Sequence, residues 1–227
     1  MKINADFDAP IALRTEQIEW QASPMKGVHR RMLDRIGEEV ARATSLVRYA
    51  PGSHFADHTH SGGEEFIVLE GTFQDEHGDY PAGTYVRNPI GTHHVPRSDD
   101  GCVIFVKLWQ FDAEDQSQFS IDLNTLPLEQ VEGCAGIAHG MLSERNNELV
   151  VLEEWDPNIL RSFGDDGGAE LLILDGSVLW QGEHYGRNDW IRLPGGKEFT
   201  LSAAANGARV WIKTRHLRNV TGPQAPN

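Results

Sequence analysis

Cysteine is scarce in this sequence: there are two in 227 residues, Cys102 and Cys134. They form no CxxC pair, which excludes a disulfide framework and a zinc site of that spacing. So few thiols fit a reducing, cytoplasmic setting. Cys102 sits in Gly-Cys-Val-Ile-Phe-Val and reads as a small apolar core residue rather than a reactive thiol. Long apolar runs are missing too. None approaches the ~18 residues that suggest a spanning helix. Met1 to Trp20 mixes acidic and basic residues, without the apolar stretch of a secretory leader. Positive charge is in deficit, with 20 Lys and Arg against 34 Asp and Glu, a formal charge of −14. Nucleic-acid surfaces need clustered Lys and Arg, and anionic membranes repel such a chain, so neither partner is expected. The remaining expectation is a soluble protein with a small-molecule ligand or substrate.

Histidine, by contrast, is concentrated. Six of the ten fall between His54 and His94. His58, His60 and Glu64 lie between Gly52 and Gly71; His94 follows Gly83, Pro89 and Gly91. His58 and His60 are two apart, so on a strand they share a face. Gly62-Gly63 then turns the chain, so that Glu64 can return toward that face. The run Glu65-Phe-Ile-Val-Leu-Glu70 is β-prone and mostly apolar, as in a buried strand. Imidazole and carboxylate together bind borderline divalent metals at neutral pH. The metal-site reading therefore takes His58, His60, Glu64 and His94 as ligands.

The chain also repeats itself. At an offset of 105, Phe66-Ile-Val-Leu-Glu-Gly71 falls on Leu171-Leu-Ile-Leu-Asp-Gly176. The same shift places Gly62-Gly63 on Gly167-Gly168, Arg87 on Arg192 and Gly91 on Gly196. Two lobes are expected: residues 1–125, an arm plus a metal-binding lobe, and residues 126–227, a degenerate lobe with a short tail. In the second lobe the four ligand positions hold Phe163, Asp165, Ala169 and Phe199. It is expected to bind no metal, with the aromatic rings filling the vacated space.

The two-part motif resembles the cupin superfamily, with all four family ligand positions occupied. The resemblance implies an all-β fold, here two tandem jelly-roll β-barrels, a bicupin. Within the superfamily, Tyr49-Ala-Pro-Gly52, His58-Thr-His60-Ser-Gly-Gly-Glu64, Tyr80-Pro-Ala-Gly83 and Gly101-Cys-Val-Ile-Phe-Val-Lys-Leu108 look most like the ChrR-type group. That group includes the zinc-binding cupin domain of ChrR anti-sigma factors and non-haem iron dioxygenases that cleave diketones or hydroxyaryl ketones. The resemblance thus implies one divalent transition metal, Zn or Fe(II), with Mn and Ni as further options. It implies either a dioxygenase or a non-enzymatic sensing module. The anti-sigma zinc motif of one His and a CxxC is missing here, so a sigma-factor partner is not expected. A homodimer is an expected assembly. By position in the motif strands, Phe66, Tyr85, Arg87, Lys107 and Trp109 are the candidates for a substrate pocket.

Overall fold

The computed structural model describes residues 1–145 and 147–223. The chain is all-β, and the single helical segment among the described residues is a 3-10 turn at Thr15–Gln17. The principal strands are β1 (Ile11–Leu13), β2 (Val28–Gly37), β3 (Ala41–Tyr49), β4 (His58–Thr59), β5 (Glu64–Asp75), β6 (Thr84–Asn88), β7 (His93–His94), β8 (Cys102–Leu108) and β9 (Phe119–Asp122). They continue with β10 (Ile137–Arg145), β11 (Glu148–Trp155), β12 (Leu160–Phe163), β13 (Ala169–Trp180), β14 (Trp190–Leu193) and β15 (Phe199–Thr214).

Two compact units result. The first gathers Met1–Ala5, Ile18–Thr125 and the described part of the stretch from Thr221; the second gathers Asp6–Gln17 and Leu126–Val220. In the first, the antiparallel order is β2-β3-β8-β5-β6-β9, with β4 and β7 paired as a separate ribbon. In the second it is β10-β11-β15-β13-β14-β1. The N-terminal arm is therefore divided, where a leading arm on the first lobe was expected. Residues 6–17 belong to the second unit because β1 pairs with β14, Ile11 opposite Arg192 and Leu13 opposite Trp190. Thr15 N–H adds a bond to Asp189 Oδ1 at 2.9 Å, and Arg192 stacks on the Phe7 ring at 3.9 Å. Of the expected tail, residues 224–227 lie outside the described residues.

The internal repeat has a physical basis at its glycines. Gly71 and Gly176 both have φ +69. A Cβ would lie 2.1 Å from Gly101 O in the first case and 2.2 Å from Gly207 O in the second. Each glycine lies two residues beyond a β-bulge, at Leu69 and at Leu174, and the close carbonyl leaves no room there for a larger residue.

Alternation sorts the first sheet into two faces. Val28, Val47, Phe66, Val68, Ile104 and Val106 face the barrel interior and form its apolar core. Cys102 joins them as expected, and burial pushes its thiol up to about 11. On the opposite face, Glu65 pairs in register with Arg87 on one side and Lys107 on the other. The second unit repeats this: Glu170 lies opposite Arg192 and Lys213. All six are at most 1% exposed.

Candidate metal centre

The four sequence-identified ligands converge. One donor atom from each of His58, His60, Glu64 and His94 lies within 4.8 Å of the other three. Two elements carry them. The β4–β7 ribbon sets His58 directly opposite His94. The turn after β4 brings His60 back, its N–H bonded to Thr92 O at 2.8 Å and its carbonyl accepting from Gly91 N at 3.0 Å. Glu64 opens β5 immediately beyond Gly63, whose φ is +74. Neither Gly62 nor Gly63 can carry a side chain here: a Cβ would strike the ring of Trp109 at 2.2 Å or that of Phe111 at 2.4 Å.

Outer hydrogen bonds fix the imidazoles. Thr92 donates its hydroxyl to Pro89 O (2.7 Å), so its oxygen accepts from His60 Nδ1–H at 3.0 Å. Asp75 Oδ2 accepts from His94 Nδ1–H at 3.3 Å, while Asp75 Oδ1 accepts from the His77 N–H at 2.8 Å. His58 Nδ1 faces Ala56 O at 3.3 Å. Asn88 Nδ2 donates to Glu64 Oε1 at 3.4 Å. With Nδ1–H engaged, the Nε2 atoms of His60 and His94 carry lone pairs, yet they face each other at 3.2 Å. Glu64 Oε1 stands 3.4 Å from the first and 3.8 Å from the second. Lone pairs and a carboxylate crowded together in a buried site repel unless a proton or a metal ion is shared among them. Two donors, each about 2.0–2.2 Å from one metal, stand at most about 4.4 Å apart. The set therefore closes onto a divalent ion with small side-chain movement. Orientation of ligating histidines by carboxylate and hydroxyl partners is the usual supporting arrangement.

The electrostatics differ from ring to ring. Burial dominates at His60 and lowers its pKa, keeping the ring neutral and available. Burial also acts against charge at His94, but the Asp75 hydrogen bond and the Glu64 and Asp75 charges outweigh it, so its pKa is raised. A metal entering the site must displace protons, His94's above all. Affinity should therefore climb with pH through the His94 titration, which lies above the ordinary imidazole value, and fall on the acid side of it. Calorimetry in buffers of different ionisation enthalpy should show proton release on zinc binding; zinc held equally well at pH 4 and pH 8 would contradict this.

The centre is not sealed. His58 is exposed, whereas His60, Glu64 and His94 are buried. A cavity of about 360 Å³ opens onto His58, His60 and Glu64, with Val28, Val47, Tyr49, Phe55, Ile104 and Val106 in its wall. Its size lies at the lower end of small-molecule pockets, roughly 300–1,000 Å³.

Of the five candidate pocket residues, only Trp109 lines this cavity. Tyr85, Arg87 and Lys107 are on the other face of the sheet. They pair across from Glu65 and Ile67, one residue out of phase with inward-facing Glu64 and Phe66. There Tyr85 OH donates to Glu65 Oε2 at 2.7 Å, and Arg87 bridges Glu65 (3.1 Å) and Asp115 (2.5 Å). Lys107 Nζ donates to Thr44 Oγ1 at 3.1 Å. Phe66 does face inward, but it is 1% exposed and packs against Phe73 in the core instead of reaching the cavity. Residues that sequence reasoning passed over are Asp75, Thr92 and Asn88, which hold the ligands. Only Thr92, next to Gly91 in the motif, carried a positional hint.

The second unit keeps the scaffold without the donors. Phe163 pairs with Phe199 in the register that sets His58 against His94. Phe163 is buried in the core, with Phe199 packed against it. Asp165 faces the guanidinium groups of Arg215 (3.7 Å) and Arg218 (3.9 Å). The rings do not fill the space entirely, and a cavity of about 180 Å³ persists beside Phe163, Asp165, Ala169 and Phe199.

Residues 8–112 match the family model of the ChrR cupin-like domain. A candidate dioxygenase from Nostoc punctiforme superposes with a TM-score of 0.75 at 15% identity, over 97% of this chain and 88% of that one. The Ylba protein of E. coli gives 0.69 at 13% identity, covering 95% and 94%. Oxalate decarboxylase of Bacillus subtilis gives 0.63 at 12%, covering 93% and 78%. At such identities the likeness establishes the cupin fold and no more. A search of curated proteins finds no match. No helix among the described residues is long and apolar enough to cross a membrane.

Proposed function

We propose that this chain is a metal-binding bicupin that acts as a non-haem metal-dependent dioxygenase on a small diketone or hydroxyaryl ketone. One observation carries the reading: three members of the His58, His60, Glu64 and His94 set border an apolar cavity large enough for such a molecule. A purely structural metal site is closed, whereas a catalytic one keeps a position open to ligand. When bound, Fe(II) would supply Lewis acidity and a template for chelating oxygens. The protein's own part is distinct. His60 and His94 are held in one tautomer by Thr92 and Asp75. Glu64 contributes the negative charge that favours a divalent ion. Val47, Phe55 and Ile104 exclude water from the hydrocarbon part of the substrate.

The test is oxygen uptake by iron-loaded protein against a panel of β-diketones and hydroxyaryl ketones. Uptake with at least one compound is expected. A rate equal to that of metal-free protein for every compound would count against catalysis. The ChrR cupin-like match supports a second reading, a sensing module whose centre binds a ligand and reports to a partner. That reading expects a ligand-induced rise in melting temperature with no turnover.

A further inference from the structure

Two arginines stand in the wall of this cavity, away from its His58, His60 and Glu64 end. Val28 and Arg30 alternate inward on β2, and Arg30 lies opposite Val47, itself a cavity residue. After Met32 the β2–β3 register shifts and Leu33 becomes an extra residue. This bulge re-aims Arg35, which unbroken alternation from Val28 and Arg30 would turn outward, into the same cavity.

The two arginines are not alike. Arg35 is buried and donates through Nη2 to Glu38 O and to Glu39 O (3.4 Å), so it caps the β2–β3 hairpin. Burial, then the neighbouring charge of Arg30, lowers its pKa. The partly buried Arg30 has no hydrogen-bond or ion-pair partner among the described residues. Three other arginines have carboxylate partners: Arg42 has Asp34 (3.6 Å), Arg87 has Glu65 and Asp115, and Arg161 has Glu153 (2.7 Å). Glu39 also lines the cavity, but it is exposed and makes no ion pair among the described residues. A partly buried guanidinium with no ion-pair partner among the described residues is free to take up an anion that enters the cavity.

We propose that Arg30 is the anion-binding residue of this cavity, and that the ligand is a small organic acid. Its carboxylate meets Arg30, its hydrocarbon part packs against Val47, Phe55 and Ile104, and its other oxygens face His58, His60 and Glu64. A carboxylate is the group that matches the planar guanidinium fork. This deepens the proposed function, on whose metal centre it rests: the diketone or hydroxyaryl ketone substrate also carries a carboxylate.

Calorimetric titration with benzoate, phenylacetate and phenylpyruvate, beside benzamide and phenylacetamide, tests it on metal-loaded and metal-free protein. The acids should bind at least about tenfold tighter than the amides, as a charge-assisted pair implies. Arg30→Gln should remove that preference while leaving metal content and amide binding unchanged. Arg30→Lys, which keeps the charge, should retain part of it and serves if the first variant folds poorly. Equal binding of acids and amides, no binding of any acid at millimolar concentration, or an unchanged preference in Arg30→Gln would overturn the proposal. Preference for inorganic phosphate over all three acids would overturn the carboxylate assignment. Failure of the metal reading looks different: no zinc or iron is taken up, yet Arg30-dependent acid binding persists in metal-free protein.

Discussion

His94→Ala should lower affinity for zinc or Fe(II) by more than about 100-fold, measured by competition with a chromophoric chelator. His94 is the most buried of the ligands at 2% exposure, and it enters from a strand 30 or more positions after the other three. Losing it removes a donor and the link between β7 and the rest of the site. Asp75→Asn should have a smaller effect, within the roughly 10–100-fold typical of an outer hydrogen-bond partner. Exposed His58 provides a control for folding. His58→Ala should weaken metal binding with little change in the urea midpoint of the metal-free protein. Equal affinity in wild type and His94→Ala would mean that the metal, if any, is held elsewhere.

Glu65→Ala should destabilise the protein by about 3–5 kcal/mol, the range for breaking a buried ion pair by removing one partner. Arg87 and Lys107 flank Glu65 on both neighbouring strands and are fully buried. Tyr85 also loses the acceptor for its hydroxyl. The measurement is urea denaturation, and the folded fraction should still bind one metal, since Glu65 faces away from the centre. A loss below about 1 kcal/mol, as for an exposed salt bridge, would show that this charged cluster is solvated instead of structural. A large loss of metal affinity in the folded variant would return Arg87 and Lys107 to the site.

The clustering of His58, His60, Glu64 and His94 was legible in the sequence because metal coordination ties residue type to spacing. Three imidazoles and a carboxylate set among turn-forming glycines leave few alternatives, and the repeat at offset 105 exposed the two-lobed plan. The cavity was far less legible, for a reason of phase. Glu64 and Glu65 are neighbours, yet one points to the metal centre and the other to a buried charge cluster. Arg87 and Lys107 look like site residues by proximity in the chain, and only strand register assigns them to the opposite face. The charged stretch from Arg30 to Arg35 reads in the sequence as a solvated face, but Arg35 is buried and lines the cavity, because a bulge at Leu33 reverses its direction and bulges leave no periodic mark. The division of the arm at Gln17 was equally hidden, since β1 is three residues long and finds its partner at β14, almost 180 positions away.

X-ray absorption on zinc-loaded protein tests the central claim most directly. One metal per chain, with imidazole scattering and first-sphere nitrogen and oxygen at about 2.0–2.1 Å, is the predicted spectrum, and it should vanish when His58, His60 and His94 are replaced together. A protein that takes up no metal, or one whose spectrum is unchanged by those three replacements, would contradict it.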